Sequence, residues 1–165
     1  MAYKRKSWRE KLEDRKNFPK VLSFTPQMPC GKALAKWGAK PGDSVVLAPH
    51  IEVDEIMKIV PKGKLITIKE ICEELAEKYK TKYCCSLIAG ISIMTAANAA
   101  EEARMKGEKN ITPYWRTLKV GGVLNEKFPG GAERQKELLE KEGHKVEKRG
   151  KKYVVVDFEK CLMRL

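Results

Sequence analysis

Tyr114 and Trp115 stand side by side in ITPYWRTLKVGG, residues 111–122, between Pro113 and Arg116 and just ahead of a glycine turn. The pair offers aromatic faces for stacking and one hydroxyl for hydrogen bonding. A phenol with a pKa of about 10 and no base beside it is a poor nucleophile at neutral pH. The two rings are therefore suited to holding a planar group without reacting with it. Two readings stay open: the rings line a pocket, or they fill a closed core.

The other reactive side chains are scattered. The cysteines are Cys30, Cys72, Cys84, Cys85 and Cys161, an odd number at irregular spacing, and the histidines are His50 and His144. With no CxxC pair, neither a zinc site nor another metal or cofactor is expected. Cys84-Cys85 reads as two small buried residues at the end of a helix, in preference to a redox pair. Nothing gathers an acid, a base and a metal ligand, so no catalytic residue is assigned. Cysteines without a disulfide framework, no signal-peptide pattern and no apolar run of bilayer length together lead us to expect a reduced, cytoplasmic protein with no membrane partner.

The 165 residues are 42% hydrophobic, enough for one globular domain with a core or a compact domain with an extension. Lys and Arg number 34 against 22 Asp and Glu, a formal net charge of +12. Such an excess suits a polyanionic partner, nucleic acid first. A lysine-rich, highly soluble surface with no partner is the competing reading.

Several elements must position the aromatic pair. SWREKLEDRK places Trp8 and Leu12 four residues apart on a charged helix, either an arm packed on the body or a basic arm along DNA. Pro19, Pro26 and Pro29 interrupt regular structure, GAKPGD is a tight turn and SVVLA a short buried strand. Residues 1–50 thus read as an N-terminal basic extension or small subdomain, and residues 51–165 as the main domain. There, EVDEIMKIV is a short helix with Val53, Ile56, Met57 and Val60 on one face. Thr67 and Glu70 form a capping box at the head of the next helix, which carries Ile68, Ile71, Cys72 and Leu75. SIMTAANAAEEARMKG follows as an alanine-rich helix ended by Gly107. PGGAERQKELLEKEG is a helix closed by Gly143, and HKVEKRGKKYVVVDF is a hairpin with a basic tip at Arg149-Gly150. Mostly α with small β elements, in the order helix, helix-turn-helix, helix, hairpin, the chain reads as a winged-helix DNA-binding domain with an N-terminal extension. An ordinary close-packed helical pair is the plainer alternative for the middle two helices.

VDEIMKIVPKGKLITIKEI, AAN at 96–98 and TPYWRTLKVGGVLNEKFPGGAERQKELLEKEG resemble, in order and spacing, the DNA-binding domain of O-6-alkylguanine-DNA alkyltransferases over roughly residues 52–146. Those enzymes flip a damaged guanine out of the duplex and move its alkyl group to a cysteine thiolate. A histidine after the cysteine relays the proton, steadied by a glutamate at the end of the next helix. The resemblance puts Pro113, Arg116 and Glu142 on matching positions. Tyr114 stands where the cysteine belongs and Trp115 where the histidine belongs. It therefore implies no alkyl transfer and points to the non-catalytic alkyltransferase-like proteins, which bind alkylated DNA and pass it to other repair machinery.

The resemblance also implies a lesion pocket of Pro113, Tyr114, Trp115, Phe128, Pro129, Gly130, Gly131 and Glu142. It implies a DNA surface of Thr67, Lys69, Ala96, Ala97, Asn98, Ala99, Arg116 and Arg149, with the alanines flat against a minor groove. Three places depart from the family pattern. Asn98 replaces the arginine that enters the base stack, Glu101 and Glu102 replace two glycines facing the groove, and Ile68 replaces a tyrosine beside the flipped nucleotide. The expected partners are duplex DNA, alkylated DNA included, and repair proteins, with the chain acting as a monomer. A general winged-helix DNA binder or regulator that does not flip bases is the alternative.

Overall fold

The computed structural model describes residues 5–165. Residues 1–4, the start of the expected extension, lie outside the described residues. The helices are α1 (Trp8–Glu13), α2 (Gly31–Lys36), α3 (His50–Lys58), α4 (Ile68–Lys78), α5 (Ser86–Met105) and α6 (Gly131–Lys141). Three small sheets accompany them. In the first, β1 (Lys20–Ser23) runs antiparallel to β2 (Ser44–Leu47), which is parallel to β4 (Tyr83–Cys84). In the second, β3 (Ile66–Thr67) is parallel to β5 (Thr117–Leu118). The third is the hairpin of β6 (Val146–Arg149) and β7 (Lys152–Val155), in register Val146 to Val155. The balance is the expected one of mostly helix with small β elements.

α5 is the axis of the molecule. Its alanines make it a strong helix former, and their small side chains let α1, α3 and α4 all pack against it. Ala96, Ala97 and Ala99, expected to lie flat against DNA, are instead buried in the core with Ala89, Ala100 and Ile93. The helix also starts earlier than its alanine-rich stretch, at Ser86, because Ile88, Ala89 and Ile93 continue the same inward face. Cys84 and Cys85 are buried as expected, but they sit at the end of β4 and at the N-cap of α5, not at the end of a helix. Strand alternation sends them into different clusters, Cys84 with Cys72 and Cys85 with Cys30.

The N-terminal segment is tied to the rest by sheet, core and charge. β1 and β2 join β4, which lies in the link between α4 and α5. Leu12 of α1 is buried in the cluster that contains α3 and α5. Glu52 of α3, 4% exposed, accepts hydrogen bonds from Arg15 at 3.0 Å, from the Tyr79 hydroxyl at 2.6 Å and from Lys78. Burial alone would raise the pKa of Glu52, but these donors outweigh it and hold the carboxyl below its usual range. The same burial and the facing carboxylate push the Tyr79 hydroxyl up to about 12.

Helix ends follow local chemistry. Thr67 caps α4, accepting from the Lys69 N–H at 3.2 Å while its hydroxyl donates to Glu70 at 2.5 Å. Past α6, Gly143 takes φ 92°, and the Gly143 and His144 N–H groups return to the Glu140 and Leu139 carbonyls. Because Leu12 fastens α1 to α5, Leu12→Ala is expected to lower stability by about 2–5 kcal/mol. The exposed Glu13→Ala should change it by less than about 0.5 kcal/mol. Urea unfolding of the two variants distinguishes a docked helix from a loose arm, for which both changes would be small.

Candidate functional site

The Pro113 ring leads the chain into a 3-10 turn at Tyr114–Arg116, and the backbone then enters β5. This turn drives the Tyr114 ring inward, where it is 1% exposed. It meets Trp115 edge-on at 5.5 Å and Phe128 edge-on at 5.3 Å between ring centroids. Tyr114 is therefore a core residue; Trp115, half-buried, stands at the border of the core. The Tyr114 hydroxyl donates to Glu101 Oε1 of α5 at 2.6 Å. Burial, and then the adjacent carboxylate, push the phenol up. Burial opposes ionisation of Glu101 as well, but hydrogen bonds from Tyr114 and Arg104 outweigh it and hold that carboxyl low. A protonated phenol donating to an ionised carboxylate is the stable state, and it is the opposite of an activated nucleophile.

Behind Tyr114 lies a second polar knot. Glu142, at the C-cap of α6, accepts from the Trp115 indole N–H at 3.2 Å and from two nitrogens of Arg116 at 2.7 and 2.9 Å. The remaining Arg116 terminal nitrogen donates to the Val60 carbonyl at 2.7 Å. Burial raises the pKa of Glu142, but Arg116 and Trp115 more than offset it and keep it ionised. Glu142 thus meets the side chain expected to stand beside it. Arg116, expected at the DNA surface, is committed to the interior. Gln135 locks the arrangement: its amide donates to the Trp115 and Thr117 carbonyls at 3.1 and 3.2 Å and accepts from the Asn125 N–H at 2.8 Å.

The C-terminal half of α5 forms one wall of an open cleft of about 570 Å³, whose lining includes Trp8, Asn98, Glu101, Glu102, Pro129 and Arg134. Glu102 accepts the Trp8 N–H at 3.1 Å and the Arg9 N–H at 3.4 Å, the two free amides at the head of α1. The two carboxylates that seemed set against phosphate are thus both engaged within the protein. The Asn98 amide donates to the Met94 carbonyl at 2.9 Å, leaving its oxygen to accept. Gly130 has φ 83°, and a Cβ there would lie 2.7 Å from the Arg134 side chain. Only glycine lets this loop turn and the Arg134 stem lie across it.

The remaining expected contacts are dispersed. Thr67 is buried in its cap, whereas Lys69 is exposed at the start of α4. Arg149 is exposed at the hairpin, 3.6 Å from Glu147. Trp8 reads from sequence only as part of the apolar stripe of its helix, and Arg134 and Gln135 are not singled out there. The only signals were an aromatic in a charged arm, an arginine in a charged helix and a lone glutamine, none of them distinctive. Among the described residues, no group of three or more His, Cys, Asp and Glu side chains could hold a metal ion, and no helix is long and apolar enough to cross a membrane.

No family model and no curated protein sequence matches the chain. Two solved structures resemble it. One is S. pombe ATL in complex with DNA, at 18% identity over 70% of this chain and 94% of that one, with a TM-score of 0.51. The other is S. pombe Atl1 in complex with damaged DNA containing O6-carboxymethylguanine, at 19% identity over the same shares, with a TM-score of 0.49. At this identity the likeness is one of fold: the chain resembles alkyltransferase-like proteins in its architecture.

As Tyr114 is packed on three sides, Tyr114→Ala is expected to cost about 3–5 kcal/mol of stability. Tyr114→Phe removes only the donor to Glu101 and should cost about 1–3 kcal/mol. Glu142 provides a pH test. Its folded pKa lies below the ordinary 4.5, so its stabilising effect is complete above that value and is lost as pH falls through the folded pKa. Native stability should therefore drop on the acid side of 4.5, and Glu142→Gln should make that drop shallower. Thermal melts across the acid range read both effects; an acid arm of unchanged steepness would contradict the Glu142 assignment.

Proposed function

We propose that this chain, built on the fold of alkyltransferase-like proteins, is a non-catalytic winged-helix protein that binds duplex DNA and takes an O-6-alkylated guanine into the cleft between α5 and the 128–131 loop. One observation carries this reading: the cleft is open, while the position that the family resemblance gives to the reactive cysteine holds a buried, protonated phenol hydrogen-bonded to Glu101. Such a site can receive a base but has no thiolate to accept an alkyl group and no imidazole to relay a proton. The net charge of +12 supports a polyanionic partner. So does the presence of DNA in the S. pombe ATL complex of like fold. Lys69 and Arg149, both exposed, are the phosphate contacts that this reading keeps from the sequence.

A second reading, a general DNA binder or regulator that leaves every base stacked, is favoured by one feature. Asn98 is short, and its amide is tied to Met94, so it fills a vacated stack less well than a longer cation would. Equilibrium binding to a duplex with one O-6-methylguanine and to its undamaged twin separates the two. The lesion reading expects tighter binding to the damaged duplex and an unmodified protein mass after incubation. Equal affinities support the second reading, and a stoichiometric alkyl adduct would overturn both. In either case affinity should fall steeply with salt, and Lys69→Glu or Arg149→Glu should make the slope shallower. Affinity that hardly changes between low and moderate salt would contradict phosphate binding.

A further inference from the structure

The cleft has two walls to which the family resemblance gives no role. One is Trp8, from α1, which precedes the region of resemblance. Its backbone is fixed by Glu102 and its helix by the buried Leu12, so the indole is held in place and does not trail from a loose arm. Trp8 also lines a second, smaller cleft of about 330 Å³, together with Lys11. The Lys11 ammonium lies 4.2 Å from the centre of the indole ring. Lys11 lines the smaller cleft and not the large one, which Trp8 lines without it.

The other wall is Arg134 of α6. Arg9, Arg15, Arg104, Arg116 and Arg149 each lie within 4 Å of a carboxylate. Arg134 has no such partner among the described residues and donates no side-chain hydrogen bond there, although it is half-buried and its stem is laid over Gly130. A guanidinium in a cleft with its donors free is a recognition group in waiting. Between these walls the Asn98 oxygen is left as an acceptor.

We infer that Trp8 and Arg134 form the jaws of a nucleobase site, the indole stacking on an unstacked purine and the guanidinium donating to adjacent acceptors on its edge, as O6 and N7 of guanine provide. Stacking on one aromatic is worth about 1–3 kcal/mol per base, and a two-point arginine contact to guanine is of similar size. The base is thereby held outside Tyr114, in the cleft, and not in the space that the Tyr114 ring fills. This rests on the DNA-binding reading above and adds to it residues from the N-terminal segment.

The test uses the full chain, a duplex with a single O-6-methylguanine and the undamaged twin. Trp8→Ala and Arg134→Ala should each weaken binding to the damaged duplex by about tenfold and to the intact one by less than about twofold. Trp8→Phe should restore most of the difference, since it keeps an aromatic face. Indole fluorescence should be quenched by the damaged duplex in the wild type and much less so in Trp8→Phe. Melting temperatures and the intact-duplex affinity show whether α1 is still docked in each variant. Equal weakening on both duplexes in Arg134→Ala, with the salt slope reduced by about one, would make Arg134 a phosphate contact and overturn the base-edge role. Wild-type affinities equal for the two duplexes would overturn the nucleobase site and leave DNA binding standing. No binding to either duplex would overturn the proposed function, and this inference with it.

Discussion

Two neighbouring carboxylates near the end of α5 decide what the rest of the molecule can be. Taking a carboxylate out of water costs several kcal/mol unless donors meet it. Glu101 is met by the Tyr114 hydroxyl and by Arg104, and Glu102 by the two leading amides of α1. One pair of side chains therefore closes the floor under the cleft and fastens the N-terminal helix across its rim. Without Glu101 the phenol would be a buried donor lacking an acceptor; without Glu102 the Trp8 and Arg9 N–H groups at the head of α1 would lose their shared acceptor. The alanines beside them complete the arrangement, because only small residues let α1 approach α5 so closely.

A second constraint holds the aromatic segment from behind. Arg116, Trp115 and Glu142 form a closed set of charge-assisted hydrogen bonds, and Gln135 ties the same backbone to the loop at Asn125. In a frame this rigid, Tyr114 is an architectural residue whose hydroxyl has one fixed acceptor. The rim of the cleft, in contrast, carries the Arg134 guanidinium and the Asn98 amide oxygen without a partner among the described residues, and Trp8 beside them. That contrast between a fully paired floor and an unpaired rim is the physical basis for assigning binding in place of chemistry.

Much of the fold was legible because its signals are local. The Thr67 cap, the glycine after α6, the hairpin about Arg149-Gly150 and the inward face of α3 each follow from residues within a few positions of one another. The resemblance set Glu142 beside the position of Trp115, and the two are hydrogen-bonded, whereas Arg116, expected at the DNA surface, joins them in the interior. What sequence could not give depends on long-range packing. An alanine stripe has the same pattern whether it faces a groove or a core, and burial by α1, α3 and α4 decided for the core. Glu101 and Glu102 looked like exposed obstacles to DNA because their donors lie far away in the chain, at Tyr114 and at residues 8 and 9. The sheet that joins residues 20–47 to β4 had the same difficulty, since two-residue strands carry almost no periodic signal.

The central claim is that a base is held in the open cleft above an intact, unreactive floor. A crystal structure of the full chain with a duplex carrying one O-6-methylguanine tests it most directly. The account expects the modified base between Trp8 and the 128–131 loop, its edge against Arg134, with the Tyr114–Glu101 hydrogen bond in place. A base seated in the space of a displaced Tyr114 ring, or a duplex bound with every base still stacked, would contradict it.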